Sequence, residues 1–415
     1  MIILEYGCIG EHLKHSFSKE IHACFCDYNY ELCEIKPQNL KEFFTVKNFK
    51  AVNVTIPYKQ DVIEFLDYID DNAKKIGAVN TVVNKSGKLY GYNTDFYGLK
   101  SLITINGIEL NSKKVLILGS GGTSKTAKAV AESLGAKEII CASRSKKDGF
   151  VTYDDVYKNH TDVNVVINTT PCGMYPNIDG SAILLTEFSN LIAAVDVVYN
   201  PIKTDFLEQA EKLGAKAVGG LYMLVAQAAF AAEKFVDTQI DDNKIFEVYK
   251  KILSSKQNIV LIGMPASGKS TNGKKIAKYL GREFYDSDTV IEKAEKLTIK
   301  EIFANLGETV FREKEHDTIK DLSKLSGVVI STGGGVILNP ENIRYLKKNG
   351  KIYFIDRELE KLICTDSRPL SSNKKDLTAL YEFRHPLYEK YADYVLKNDN
   401  TFLELKEIIN ENFGC

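Results

Sequence analysis

The chain has 415 residues, more than one hydrophobic core usually supports, so two or three domains are expected. Hydrophobic residues at 44% and charged residues at 26% are ordinary for a globular protein. A formal charge of −1 excludes a global pull toward nucleic acid or an anionic membrane, so any anion binding must come from local arrangements.

The N-terminal MIILEYGCIGEH has no basic leader, and the most apolar later stretch, LYMLVAQAAFAA, is broken by Gln227 and falls short of a membrane span. A cytoplasmic protein is expected, with neither membrane nor nucleic acid as partner. Eight cysteines (Cys8, Cys24, Cys26, Cys33, Cys141, Cys172, Cys364, Cys415) contain no Cys-x-x-Cys pair and read as reduced, mostly buried thiols. His12, His15 and His22, near Cys24 and Cys26, match no standard zinc spacing.

Short Val- and Ile-rich runs alternate with helical patterns, which predicts parallel sheets with helices on both faces. VLILG (115–119), EIICAS (138–143), VNVVINTT (163–170) and LIAAVDVVY (191–199) form one series of strands; NIVLIG (258–263), GVVIST (327–332) and KIYFID (351–356) form a second. Between them, VDTQIDDNKIFEVYKKILSSKQN reads as a polar helix fading into a joint near Ser254 to Gln257. The expected domains are residues 1–253, split into a substrate lobe (1–97 plus 220–250) and a nucleotide lobe (98–219), and residues 258–415.

In KKVLILGSGGTSKTAKAVAESLGA an apolar strand runs into Gly119, Gly121 and Gly122 and then into a helix. Such glycines let backbone approach a pyrophosphate, whose charge meets the free amides of a helix N-terminus. Ser124 stands where the third glycine of the dinucleotide pattern is expected, and alone the loop is equally an ordinary strand-to-helix turn. The following strand ends in Ser143, Arg144 and Ser145, with Lys146 and Lys147 beyond, where an NAD protein would place an acid. Hydroxyls and a guanidinium suit the 2′-phosphate of NADP, although a solvated basic turn has the same composition.

HSFS (15–18), NVTIPYK (53–59), VNT (79–81) and GYNTD (91–95) hold polar residues that capping and turn chemistry explain one segment at a time. Lys59 beside a strand-end Asn-x-Thr is explained less well. Together with IGAVNT, GSGGTS, NTTPCGM (168–174), DVVYNP (196–201) and GGLYMLVAQA (219–228), in that order, these segments closely resemble shikimate dehydrogenase over residues 1–250. The resemblance implies a two-lobed α/β dehydrogenase with a Rossmann-type NADP lobe. It also implies that Ser16 and Ser18 hold the substrate carboxylate, and that Thr55, Asn80, Tyr199 and Gln227 meet carboxylate or ring hydroxyls. Lys59 and Asp95 match the catalytic pair, and Gly119, Gly121, Gly122, Ser143, Arg144 and Met223 fall on the cofactor side. His12 and Lys19 occupy places where the family often has proline. Chemistry asks for such a pair on its own terms: a ketone receiving hydride develops an alkoxide, which needs a cation and a proton source.

GMPASGKS (263–270) satisfies the full phosphate-loop pattern and sits between an apolar strand and a helical stretch, the context that pattern requires. Gly263, Ala266, Gly268 and Thr271 would form the cradle, Lys269 would reach the β- and γ-phosphates of ATP, and Ser270 would ligate Mg²⁺. FYDSD with Asp288, GETVFREKE with Arg312, STGGGV with Gly333, Gly334 and Gly335, DSRPL with Arg368, and FRHPLYEKYAD with Arg384 resemble shikimate kinase over residues 258–415. This implies a P-loop α/β domain in which Asp288 holds the acceptor hydroxyl and Arg312 and Arg384 hold the carboxylate. The triple glycine would close over the ring, Arg368 would reach the transferring phosphate, and Asp286 would sit near Mg²⁺ through water. Taken alone, Arg312 within REKEH reads as a surface salt bridge, and Lys390 departs from the acidic residue usual in the family.

Both resemblances together imply two consecutive reactions: NADPH-dependent reduction of 3-dehydroshikimate to shikimate, then ATP-dependent phosphorylation to shikimate 3-phosphate, serving aromatic amino acid biosynthesis. The partners expected are these small molecules, with a homodimer left open. The competing readings are a quinate or broad cyclitol dehydrogenase fused to another small-molecule kinase, and a non-enzymatic remnant in one half.

Overall fold

A computed structural model describes residues 4–13, 17–362, 374–397 and 400–413, without the side chains of 374, 375, 412 and 413. Three sheets organise it, and their strands follow the apolar runs of the sequence. The first contains β1 (Tyr6–Gly10), β2 (Tyr30–Glu34), β3 (Ala51–Val54), β4 (Tyr68–Ile69), β5 (Thr81–Lys85) and β6 (Lys88–Tyr92) in the order β2-β1-β3-β5-β6-β4. β1 runs parallel to β2 and β3, whereas β5 is antiparallel to β3 and β6. One face packs Ile9, Val52, Val54, Val82 and Leu89 against Phe43, Phe44 and Phe49.

The second sheet is wholly parallel: β7 (Lys114–Leu118), β8 (Glu138–Ser143), β9 (Val151–Thr152), β10 (Val165–Asn168), β11 (Ala193–Asp196) and β12 (Lys216–Val218), in the order β12-β11-β10-β7-β8-β9. Counted from β7, this is the doubly wound order of a dinucleotide-binding fold, with the direction of winding reversing between β7 and β10. The glycine loop after β7 opens at that switch point. The third sheet, β13 (Asn258–Ile262), β14 (Phe284–Asp286), β15 (Val329–Ser331), β16 (Gly350–Ile355) and β17 (Tyr394–Leu396), is also parallel and ordered β14-β15-β13-β16-β17. Its central strand β13 is buried throughout and delivers the phosphate loop. The mixed α/β architecture expected from the sequence is therefore present: EIICAS forms β8 over its full length, and each other predicted run forms a strand that stops short of it at one or both ends.

The contacts divide the chain into two compact units, Met1–Tyr249 and Lys250–Cys415. The Ser- and Lys-rich joint expected at 254–257 is the last turn of a helix, Asp242–Lys256. Ile245, Val248 and Ile252 are buried at helical spacing, and Arg282 donates to the carbonyls of Ser254 (2.6 Å) and Gln257 (2.8 Å), satisfying groups a helix end leaves open. Within the first unit, helix Leu221–Val236 packs against helices Thr94–Ile105 and Ser18–Phe25. The closest approach is at Gly98, where a Cβ would lie 2.8 Å from the Met223 carbonyl oxygen and 2.9 Å from Gln227 Cβ.

Candidate active sites

In the first unit, Lys59 follows a turn closed by the Tyr58 amide donating to the Thr55 carbonyl (3.0 Å), and its own carbonyl accepts from the Val79 amide (2.7 Å). Asp95 lies in the first turn of helix Thr94–Ile105, capped by Asn93, whose Oδ1 accepts from the Phe96 amide (3.1 Å). Lys59 Nζ and Asp95 Oδ2 meet at 2.6 Å, with side chains 20% and 13% exposed. Partial shielding from water strengthens this pair beyond a surface salt bridge, and the carboxylate sits at the favourable end of the helix dipole.

Below the pair runs a buried polar chain. Tyr30 OH donates to Asn53 Oδ1 (2.7 Å), Asn53 Nδ2 to Thr81 Oγ1 (3.1 Å), and Thr81 Oγ1 to Asn80 Oδ1 (3.1 Å). Asn80 Oδ1 also accepts from the Thr94 amide (2.7 Å), and Asn80 Nδ2 donates to Thr94 Oγ1 (3.1 Å). Asn80 thus holds the start of the helix that carries Asp95, a function its place in a strand-end Asn-Thr pair did not reveal. His22, stacked on Tyr30 at 4.0 Å, is fully buried, and burial lowers its pKa to about 3.

Of the remaining substrate-side residues, Ser16 lies outside the described residues, Ser18 begins helix Ser18–Phe25, and Thr55 donates its amide to the Ile9 carbonyl (2.9 Å). Tyr199 faces Phe17 with ring centroids 5.4 Å apart, and burial raises its pKa. Gln227 is buried on helix Leu221–Val236, one turn beyond the buried Met223, and Nε2 donates to the Leu224 carbonyl (2.9 Å).

The glycine loop needs its glycine at one position and leaves space at two others. Gly119 has φ +111°, and a Cβ there would lie 2.7 Å from Thr169 Oγ1. At Gly121 and Gly122, which open helix Gly122–Ser133, a Cβ would meet nothing within 4 Å, so there is space beside the helix N-terminus. Ser124 is buried and its hydroxyl donates to the Gly121 carbonyl (2.7 Å). Arg144 is exposed just past β8, while Ser143 is buried with its hydroxyl donating to the Ser145 carbonyl. Lys147, not assigned from sequence, reaches back to Ser120 Oγ (2.7 Å) and links the basic turn to the glycine loop.

In the second unit one cleft of about 310 Å³ is lined by the phosphate loop and by Asp286, Asp288, Arg312, Glu315, Gly333, Gly334, Gly335 and Arg384. Gly263 and Gly268 take φ +146° and +95°, and Ala266 takes +64°. Lys269 Nζ donates to the carbonyls of Gly263 (2.9 Å) and Met264 (2.8 Å), and Thr271 lines the same end of the cleft. Ser270 Oγ donates to Asp286 Oδ2 (2.5 Å), bringing a hydroxyl and a carboxylate together as a hard divalent cation prefers.

At the other end, Arg312 bonds Glu308 (3.0 Å) and Glu315 (2.8 Å). Glu315 is only 1% exposed, so this is a buried pair facing the cleft as well as a helix-surface salt bridge. Burial raises the Glu315 pKa, opposed by the Arg312 charge, and burial lowers that of Arg384. Glu315 Oε1 and Arg384 Nε are buried with no hydrogen-bond partner among the described residues. A Cβ on Gly333 would lie 2.6 Å from Asp288 Oδ1 and 2.9 Å from Glu315 Oε1, and one on Gly335 would fall on the Arg312 guanidinium. The triple glycine therefore makes room for these charged ends. Sequence reasoning missed Glu315, although its place three residues after Arg312 was a usable helical signal. Arg368 lies outside the described residues.

Comparison with known proteins bears on both units. A family model described as shikimate dehydrogenase substrate binding domain matches residues 8–82, and one described as shikimate kinase matches residues 265–411. A Clostridium beijerinckii protein named shikimate dehydrogenase (NADP(+)) is 40% identical over 254 residues, covering 57% of this chain and 93% of that protein. A chorismate mutase/shikimate 5-dehydrogenase fusion from Clostridium acetobutylicum is 34% identical with a TM-score of 0.57, covering 61% of this chain and 98% of that structure. Shikimate 5-dehydrogenase from Thermus thermophilus, solved with NADP(H) and shikimate, is 27% identical with a TM-score of 0.54, covering 60% of this chain and 98% of that structure.

Proposed function

Since the chain belongs to the shikimate dehydrogenase family and carries a shikimate kinase domain, a bifunctional shikimate-pathway enzyme, we propose that it works as reductase first and kinase second. The first unit would reduce 3-dehydroshikimate to shikimate and the second would convert shikimate to shikimate 3-phosphate. The observations that carry this reading are the Lys59–Asp95 pair in the first unit and, in the second, the cleft where the phosphate loop meets Asp288, Arg312 and Arg384.

In the first unit Gly119, Gly121 and Gly122 would hold the pyrophosphate of NADP(H), with Arg144 and Lys147 near its 2′-phosphate; the space beside Gly121 and Gly122 fits that group. NADPH supplies the hydride. Lys59 gives a proton to the substrate oxygen as it becomes a hydroxyl, and Asp95, 2.6 Å away, fixes the ammonium and accepts from a neighbouring ring hydroxyl. Ser16 and Ser18 bind the carboxylate, and Thr55, Tyr199 and Gln227 meet carboxylate or hydroxyls. Asn80 orients the Asp95 helix while its amide borders the ring.

In the second unit Ser270 and Asp286 would hold Mg²⁺, and Lys269 would exchange its loop carbonyls for phosphate oxygens. ATP supplies the phosphoryl group. Asp288 orients the attacking hydroxyl, Arg312 and Arg384 grip the carboxylate, and Arg368 meets the transferring phosphate. Glu315 sets the Arg312 fork and, through Oε1, accepts from a ring hydroxyl.

We place the enzyme in the cytoplasm with small molecules as its partners, and assign residues 1–253 and 258–415 to the two activities. One mixture of 3-dehydroshikimate, NADPH, ATP and Mg²⁺, followed by mass, should pass through shikimate to shikimate 3-phosphate. Accumulation of shikimate without phosphorylation, or preference for quinate with NAD⁺, would refute the assignment.

A further inference from the structure

Asp196 ends β11 and is completely buried, yet each of its hydrogen-bond donors is uncharged. Oδ1 accepts from Asn168 Nδ2 (2.9 Å) and from the Val198 amide (3.1 Å), and Oδ2 accepts from Thr204 Oγ1 (2.6 Å). Asn168 is its register partner on β10 and is itself committed, since its Oδ1 accepts from the Thr170 amide (3.0 Å) and hydroxyl (2.7 Å). Thr204 caps helix Asp205–Lys212. The carboxylate therefore ties together two loops beyond the C-terminal ends of adjacent parallel strands, the place where such sheets bind ligands. One loop is 168–174. The other, 197–204, is closed at its base by the Asp196–Thr204 bond and carries Tyr199 near its crown, against Phe17. Its first residue also abuts helix Leu221–Val236, because a Cβ at the cap residue Gly220 would collide with the Val197 carbonyl.

We infer that Asp196 is a positioning residue of the dehydrogenase reaction: its buried carboxylate, fastened by Asn168, Val198 and Thr204, sets the loop that presents Tyr199 to the substrate. A carboxylate suits this task because the Asn168 and Val198 amides can only donate, and the Thr204 hydroxyl, which accepts from the Leu207 amide, has its proton left to give. An amide in its place would set its NH₂ against Thr204 and leave that buried hydroxyl proton without its acceptor, weakening that strand of the knot. The inference rests on the substrate role proposed for Tyr199.

The test uses the full chain, with its kinase activity as the control for protein quality. Asp196→Asn should raise the KM for shikimate about tenfold, more than it raises the KM for NADP⁺, because the displaced group is on the substrate side. Thr204→Val should repeat the effect and Thr204→Ser should restore it, which keeps the test decisive if Asp196→Asn folds poorly. In a Tyr199→Phe background Asp196→Asn should add less than about threefold, since both act through one contact. Full additivity, or equal rises in both KM values that Thr204→Ser fails to reverse, would overturn the inference. An unchanged shikimate KM in Tyr199→Phe alone would instead remove the substrate role of Tyr199, and with it this inference.

Discussion

Lys59 and Asp95 stand 36 residues apart in sequence and 2.6 Å apart in space, brought together by a strand-end turn and a helix start that Asn80 binds to each other. Replacing Lys59 by Ala would remove the proposed proton donor while leaving the fold its turn. Dehydrogenase turnover should fall by roughly 10²–10⁴-fold. Kinase rate on the same preparation should stay within experimental error, and a parallel fall in both would contradict separate sites.

Gly335→Ala strikes at the Arg312 fork of the second unit. The backbone at Gly335 has φ −98°, open to any residue, and the atom in the way is the end of the flexible Arg312 side chain. Displacing that guanidinium loosens its pair with the buried Glu315, so the second unit should lose about 1–3 kcal/mol while the KM for shikimate rises about tenfold or more. A denaturant midpoint and a substrate titration check the two halves.

Gly98→Ala should act through packing. The new Cβ would press on the Met223 carbonyl, a backbone atom that cannot rotate away, so the first unit should lose about 1–3 kcal/mol. Because Asp95 and Gln227 lie on the two helices concerned, dehydrogenase activity should fall further than unfolding alone explains. Chemical denaturation beside initial rates at low temperature would show the difference.

His22 gives the first unit an acid-sensitive term. Its pKa is lowered from 6.5 to about 3 by burial, so between those values the unfolded chain binds more protons and stability rises with pH. The contribution is fully present above about pH 6.5 and is lost on acidification, up to roughly 4–5 kcal/mol for a shift of that size. Asp196, raised by burial from 3.8 to about 6, works in the opposite sense, so the wild-type curve alone is blunted. The difference between wild type and His22→Phe should move in favour of the variant as pH falls from about 7 to 4; a constant difference would count against it.

Much of this architecture is readable from one sequence because parallel strands buried on both faces write continuous apolar runs, as in β10 and β13, and because the phosphate loop is local in the chain. Lys269 and Ser270 could therefore be assigned from GMPASGKS alone. Gly98, Asn80 and Asp196 could not, since what each does depends on a neighbour brought from elsewhere: Met223, Thr94, Asn168. Ser254 to Lys256 looked like a joint because their composition is polar, and Arg282 and Gly327, distant in sequence, turn them into a capped helix end.

The stitch from Ser124 back to Gly121 bears on how nucleotide-binding chains are found. The third position of that pattern needs a small residue that lets helix and strand lie close, and a serine meets this while fastening its own loop. Searches that insist on glycine there discard chains whose backbone is intact; a filter built on side-chain size and a hydroxyl able to reach three residues upstream would retain them.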